Sequence, residues 1–312
     1  MIKRPLFERI KPLLYLLPFI LSVSIFTLYP IVNVIRMSFL EGYKYLTGEF
    51  TGVGLENYEK VFADPYFRQA LSNTFKYVLF VVPISTTIAI VLATLLNQKV
   101  KFQSFFQTAY FLPMVTSSLA VGLAWRFMFN DKFGVINYVL SLFNVDAVAF
   151  LGKSAGNFLA VVIFGIWAIL PNTIILLLSG LQNIDPLYYT AAKVDGAKTL
   201  RIFFRITVPL LAPTIMLVVI INSISTFKMY HELFPLFSGP GVAYNLFTVV
   251  YYIYYEFRVL TPPKYGLAAA AAVMLLITVF VFTMLQRAVQ AWSRKERGED
   301  VKKVKRHRDA LR

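Results

Sequence analysis

Six apolar runs, each about as long as a bilayer core is thick, constrain this chain more than any other feature. A hydrocarbon core of about 30 Å needs around 20 apolar residues in helical form. The runs lie at 12–35, 73–96, 105–126, 157–180, 207–231 and 265–287, and none of them contains Asp or Glu. In lipid every backbone amide and carbonyl must find a partner inside the protein, and for runs of this length the helix supplies it. Composition agrees: 58% of the 312 residues are hydrophobic and only 15% are charged, whereas soluble domains are about 45–50% apolar. The expected fold is all-α integral membrane with six transmembrane helices. It divides into a basic N-terminal segment (1–11), a membrane domain (12–287) and a basic tail (288–312). A further apolar stretch, 243–255, is short and Tyr-rich, and it reads as an interfacial helix because Tyr favours the headgroup level.

The placement of Lys and Arg orients these runs. With the N-terminus inside, the inner segments 1–11, 97–104, 182–205 and 287–312 hold 20 basic residues. The outer segments 36–70, 126–156 and 228–264 hold 10. The excess of Lys and Arg belongs on the cytoplasmic side, so both termini are expected in the cytosol, with the chain crossing the membrane repeatedly. The net charge of +15 is concentrated at the C-terminus, where ten of the 31 basic residues occupy the last 26 positions. That pattern fits a tail near anionic lipid rather than a nucleic-acid binder. The first run has the basic flank of a signal peptide (Lys3, Arg4, Arg9, Lys11) but is too long, and no small-x-small site follows it.

Several chemistries are disfavoured by residue type. The chain has no Cys and two His, His231 and His307, so no thiol chemistry is available and no metal set stands out. No Gly-x4-Gly-Lys-Ser/Thr loop is present, so a nucleotide would have to be bound by another subunit. An ion-coupled secondary carrier, the reading from a different functional class, usually places carboxylates at mid-membrane. The apolar runs contain none.

The segment between the fourth and fifth runs departs from its surroundings. Asp185-Pro186 is a helix start: the carboxylate accepts from free amides at the N-cap and Pro suits the first helical position. A short helix follows through Val194. Gly196 ends it with a permissive backbone. A second short helix is expected over Lys198–Ile206, with Arg201 and Arg205 on its polar side, and Pro209 and Pro213 mark entry into the fifth span. Ala191, Ala192, Gly196 and Ala197 leave a bare surface into which a partner can fit. An ordinary amphipathic interfacial loop would share several of these features.

The run from Asp185 to Pro213 (DPLYYTAAKVDGAKTLRIFFRITVPLLAP) resembles the "EAA…G…I-LP" loop of ABC-importer permeases, in particular the carbohydrate-uptake, maltose-transporter-like branch. Phe227 to Gly241 resembles that branch's "FK-F-x6-TGGGP" segment. Tyr252-Ile-Tyr and Tyr265-Gly-Leu-Ala-Ala-Ala resemble its "YIY…G-AAA" ending, and Phe111-Leu-Pro113 also fits. The resemblance covers nearly the whole chain after residue 12. It implies a permease subunit of a bacterial plasma (inner) membrane that forms a translocation path with a second, homologous permease. Two ATP-binding-cassette subunits, which carry the ATP and Mg, grip the loop, and an extracytoplasmic solute-binding protein delivers a sugar. No cofactor, catalytic residue or metal belongs to this chain. The coupling residues it implies are Asp185, Tyr189, Thr190, Ala191, Ala192, Asp195, Gly196, Ala197, Ile206 and Pro209. Two departures stand out: the family's leading Glu is Thr190 here, and Phe237, Ser238 and Pro240 replace a Thr and two Gly.

Sugars are held by aromatic stacking and by hydrogen bonds. The fourth run offers Trp167, Asn172 and Thr173. The fifth offers Asn222, Ser223, Ser225, Thr226, Phe227, Lys228 and Tyr230. Asn222, Ser225 and Thr226 share a helix face at i, i+3 and i+4. Hydrogen bonds between helices would explain any one of these groups equally well; as a set they favour a lined path. Lys228 and Glu232, four apart, read as a local ion pair, and the sharper alternative is that Lys228 meets an acidic substrate. Glycerol phosphate or an acidic saccharide is therefore an alternative cargo.

Overall fold

The computed structural model describes residues 6–98, 103–152, 154–230, 232–239, 241 and 245–310. Lys3, Arg4, Lys99, Lys101, Lys153, His231, Pro240, Ala243, Tyr244 and Arg312, all counted above, lie outside the described residues. Two compact units emerge: one ends at Arg68 and is completed by Tyr252–Ile277, and the other takes Gln69–Tyr251 and Thr278 onward.

Among the described residues five helices are long and apolar enough to cross a membrane: Leu14–Ser38, Pro65–Leu96, Ala155–Gln182, Thr199–Phe227 and Tyr265–Trp292. The third expected span is the exception. In place of one helix over 105–126 the chain forms α5 (Gln103–Val115) and α6 (Ser118–Met128). Ser117 between them is non-helical, with ψ 125°, and Thr116 Oγ1 donates back to the Leu112 carbonyl at 2.8 Å. Hydroxyl side chains compete for backbone groups and disfavour helix interiors, which explains a break at Thr116-Ser117-Ser118.

The first span is α1 (Leu6–Val23) continued into α2 (Tyr29–Ser38) through a π-turn, Ser24–Leu28. The fifth is built alike: α10 (Thr199–Ile202), a π-turn at Phe203–Thr207, then α11 (Val208–Phe227). Each π-turn ends two residues before a proline, Pro30 or Pro209. Proline lacks an amide hydrogen and its ring presses on the carbonyl four residues back; one widened turn relieves both. The expected second short helix at 198–206 is therefore no separate element. It is the first part of the fifth span, which begins earlier and ends earlier than 207–231.

In the first unit, a two-residue hairpin, β1 (Leu40–Glu41) against β2 (Gly52–Val53), follows α2, a small departure from a purely helical chain. Asn57 in α3 (Glu56–Ala63) donates to the Ser38 and Leu40 carbonyls at 3.1 and 3.0 Å. Gly266, near the start of α14 (Tyr265–Ala310), packs where a Cβ would lie 2.7 Å from both Asn57 Nδ2 and the Leu40 carbonyl. Helix α14 runs unbroken through the expected boundary at 287–288.

The expected interfacial helix at 243–255 is described as α13 (Val249–Tyr254) followed by a π-turn, Tyr255–Val259. Tyr252 Oη donates to Asp64 Oδ2 at 2.7 Å. Beside it, Glu256 is 4% exposed, with Lys264 Nζ 3.7 Å from its carboxylate. Burial raises the Glu256 carboxyl above its ordinary 4.5, against the pull of Lys264, and the negative Asp64 pushes the same way as burial. A raised folded-state value means this group's stabilising contribution is complete below the unfolded value and is lost as pH rises through the folded one. Glu256→Gln fixes the neutral form, so its thermal midpoint in detergent should gain on the wild type as pH rises from about 4 to about 8. A constant offset across that range would contradict the assignment.

Candidate coupling helix and translocation path

The second unit positions the candidate site. Helix α8 (Ser154–Gln182) packs along α11. One end of this packing is apolar: Ala89, Ala93 and Leu96 of α4 (Pro65–Leu96) meet Ile174, Leu177 and Leu181 of α8, and Leu211 and Val218 of α11. Gly180 brings the two helices close. A Cβ there would lie 2.6 Å from Thr214 Oγ1 and 2.9 Å from Leu211 Cδ1. Elsewhere in the unit Phe129, Phe150, Phe164 and Leu236 form a second cluster with Trp125 and Trp167 around it.

The loop leaving α8 carries α9 (Pro186–Val194), and both its ends are closed by local bonds. Asp185 Oδ1 accepts from the Leu187 amide at 2.9 Å. At the other end the Gly196 amide donates to the Lys193 carbonyl at 3.0 Å and the Ala197 amide to the Ala192 carbonyl at 2.9 Å. These two bonds form a Schellman cap, and Gly196 adopts the φ of +72° that the cap requires. Ala192 is buried, while Thr190, Ala191, Lys193, Val194 and Asp195 are exposed and Tyr189 and Ala197 half-buried. Leu187, Ala191 and Val194, at i, i+4 and i+7, form a stripe, with Leu187 70% and Val194 83% exposed. The apolar stripe of this capped, nine-residue helix is thus turned outward. Thr190 Oγ1 donates to the Pro186 carbonyl at 3.2 Å, so the hydroxyl is turned onto its own helix. Ile206 and Pro209 belong to the continuous fifth span rather than to the loop, Ile206 in its π-turn and Pro209 near the start of α11.

The candidate path residues separate into two groups. Asn222 is buried and paired with Thr173 across α8 and α11: its Nδ2 donates to Thr173 Oγ1 at 2.9 Å. Thr226 is also buried, and Phe227 is enclosed edge-on by Phe75 and Phe282 at 5.4 and 5.2 Å. Trp167 is half-buried against Trp125 at 5.4 Å. Tyr230 is half-buried beside Phe234 and Tyr251. Asn172, Ser225 and Lys228 are exposed. The shared face read for Asn222, Ser225 and Thr226 therefore splits, with Ser225 outward and the other two inward. The expected Lys228–Glu232 pair is absent among the described residues. Helix α11 ends at Phe227, Lys228 is its C-cap, and Glu232 instead accepts from the Tyr230 amide at 3.1 Å. Helical i, i+4 geometry does not extend past that end.

Sequence reasoning missed Gln286. Its Nε2 donates to Ser223 Oγ at 2.9 Å, tying α14 to α11. The available signal was an uncharged but strongly polar side chain inside an apolar run, which is costly without a partner.

A family model described as "Binding-protein-dependent transport system inner membrane component" matches residues 85–295. The chain belongs to that family. It is therefore a multi-pass membrane protein, and its relatives are transport permeases rather than enzymes. The arabinooligosaccharides transport system permease protein AraP of Halalkalibacterium halodurans is 34% identical over 281 residues, covering 89% of this chain and 87% of that one. The lactose transport system permease protein LacF of Rhizobium radiobacter is 32% identical over 278 residues, covering 88% and 91%. The crystal structure of a bacterial ABC transporter involved in the import of the acidic polysaccharide alginate contains a chain of the same fold. It has a TM-score of 0.77 and 25% identity, covering 91% of this chain and 97% of that one.

Gly180→Ala should cost about 1–3 kcal/mol, the usual range for overpacking a tight contact, because Thr214 is β-branched and cannot yield easily. Asn172→Ala, at an exposed position, should leave stability within about 0.5 kcal/mol of the parent. Thermal unfolding of both variants in detergent checks the contrast.

Proposed function

We propose that this chain is a permease subunit of an ATP-driven, binding-protein-dependent importer of an oligosaccharide or related carbohydrate. It crosses the membrane six times, with α5 and α6 together forming the third passage and both termini in the cytosol. It shares its path with a second permease. The first span supports such a partner, since its most apolar window is 0% buried within the chain. The residues that line the path are the exposed polar ones, Asn172, Ser225 and Lys228, while Asn222, Thr226 and Phe227 hold the helices that carry them. The binding protein named in the family's description delivers the sugar, a cargo class favoured by the relatives, which are permeases of arabinooligosaccharide and lactose transport systems.

The single observation that carries the coupling is the capped helix α9 with its uncovered Leu187–Ala191–Val194 stripe. Two ATPase subunits, which hold ATP and Mg, each grip one such helix. A rigid element that sits differently in two states transmits their closure to the spans. An anionic cargo, an acidic saccharide or glycerol phosphate, is a second reading favoured by Lys228, which is exposed and has no ion pair among the described residues.

Gly196→Arg places a side chain at φ +72° and should leave the subunit in the membrane without its ATPase; a variant complex purifying with a fully stimulated ATPase would refute the joint. Thr190→Val, which keeps the shape of a side chain whose hydroxyl faces its own helix, should retain the ATPase as the parent does in the same co-purification. For the cargo, sugars should raise the melting temperature of the cognate binding protein in a ligand screen, and stabilisation by amino acids or peptides alone would overturn the carbohydrate assignment.

A further inference from the structure

We infer that the start of the fifth span, Lys198 to Ile206, is a binding site for anionic phospholipid headgroups, distinct from the α9 stripe. The proposed function enters only in naming the leaflet, the cytosolic one. The helix Thr199–Phe227 has 29 residues without a break. At about 1.5 Å per residue it is about 43 Å long, longer than the ~30 Å hydrocarbon core and equal to the ~40–45 Å of a bilayer with its headgroups. With Phe227 and Lys228 at one surface, Arg201 and Arg205 fall at the phosphate level of the other.

The side chains there fit that depth. Arg201 and Arg205 are one turn apart, so their guanidinium groups share a face, and Lys198 precedes them. Leu200 and Phe204 form the adjacent stripe at the same spacing, 73% and 65% exposed. A cationic stripe beside uncovered apolar residues is the pattern of a helix at the headgroup–acyl boundary. None of Lys198, Arg201 and Arg205 has an ion-pair or side-chain hydrogen-bond partner among the described residues. The guanidinium fork matches phosphate oxygens two at a time. The apolar stripe favours a lipid phosphate over a free one. The exposed face of α9 differs, being apolar with Lys193 its only cation.

The test uses the complete transporter in nanodiscs of phosphatidylcholine with a minor fraction of labelled phosphatidylglycerol. Each basic residue near an anionic surface contributes about fivefold in affinity. The double variant Arg201→Gln/Arg205→Gln should therefore lower the preference for phosphatidylglycerol on the order of 25-fold and keep its ATPase. Arg201→Lys/Arg205→Lys, which preserves charge, should retain most of the preference and controls for misfolding. An unchanged preference in the Gln variant would overturn the inference. So would loss of the ATPase from that variant in both lipids, which would make the segment part of the ATPase joint, or displacement of the labelled lipid by inorganic phosphate alone. Val194→Asp separates the two ideas: it should release the ATPase and keep the lipid preference. If it retains the ATPase, the joint reading fails and the lipid site stands.

Discussion

The pairing of α8 with α11 is the contact on which the rest of the second unit depends. It combines two kinds of fixing. Asn222 and Thr173 bond to each other across the helices. Such a bond in a membrane protein contributes only about 0.6 kcal/mol on average and up to about 1.7 kcal/mol. Its weight is mainly in register, since a slip by one residue would strand two polar groups in an apolar surround. Gly180 against Thr214 and Leu211 then sets how near the helices come. The segment that joins these helices contains α9, so the same contacts fix both its ends.

The irregular parts of the spans have specific causes. Wide turns precede Pro30 and Pro209, and a break falls at the Thr116–Ser118 hydroxyl run. Each replaces helical hydrogen bonds that proline or a competing hydroxyl would spoil. The turn before Pro209 keeps the chain helical from Thr199 to Phe227, and that continuity holds Arg201 and Arg205 at a membrane surface. The polar groups of the fifth span are partly spent on assembly: Asn222 on Thr173, Ser223 on Gln286. The polar groups left exposed on these spans are a smaller set than the sequence offered.

Much of this was legible in the sequence. Five of the expected spans, the N-cap at Asp185-Pro186 and the Gly196 terminator all follow from local rules, and local rules act over a few residues. The split third span was harder to read, because hydropathy averages over a window in which three hydroxyl residues are outvoted. The Lys228–Glu232 pair failed for a related reason: spacing presumes a helix through Glu232, and α11 already ends at Phe227.

By itself the sequence determined which segments seek lipid, where the capped helix starts and stops, and the family motifs the chain carries. These are set by side-chain chemistry and by covalent spacing. Only the tertiary structure decided which polar residues in the spans face their own bundle and which face outward. Asn222 and Ser225 sit on one turn of one helix, yet one is sealed against Thr173 and the other is open. Helical periodicity fixes the angle between them. The neighbour that covers one side is fixed by packing between segments 49 residues apart.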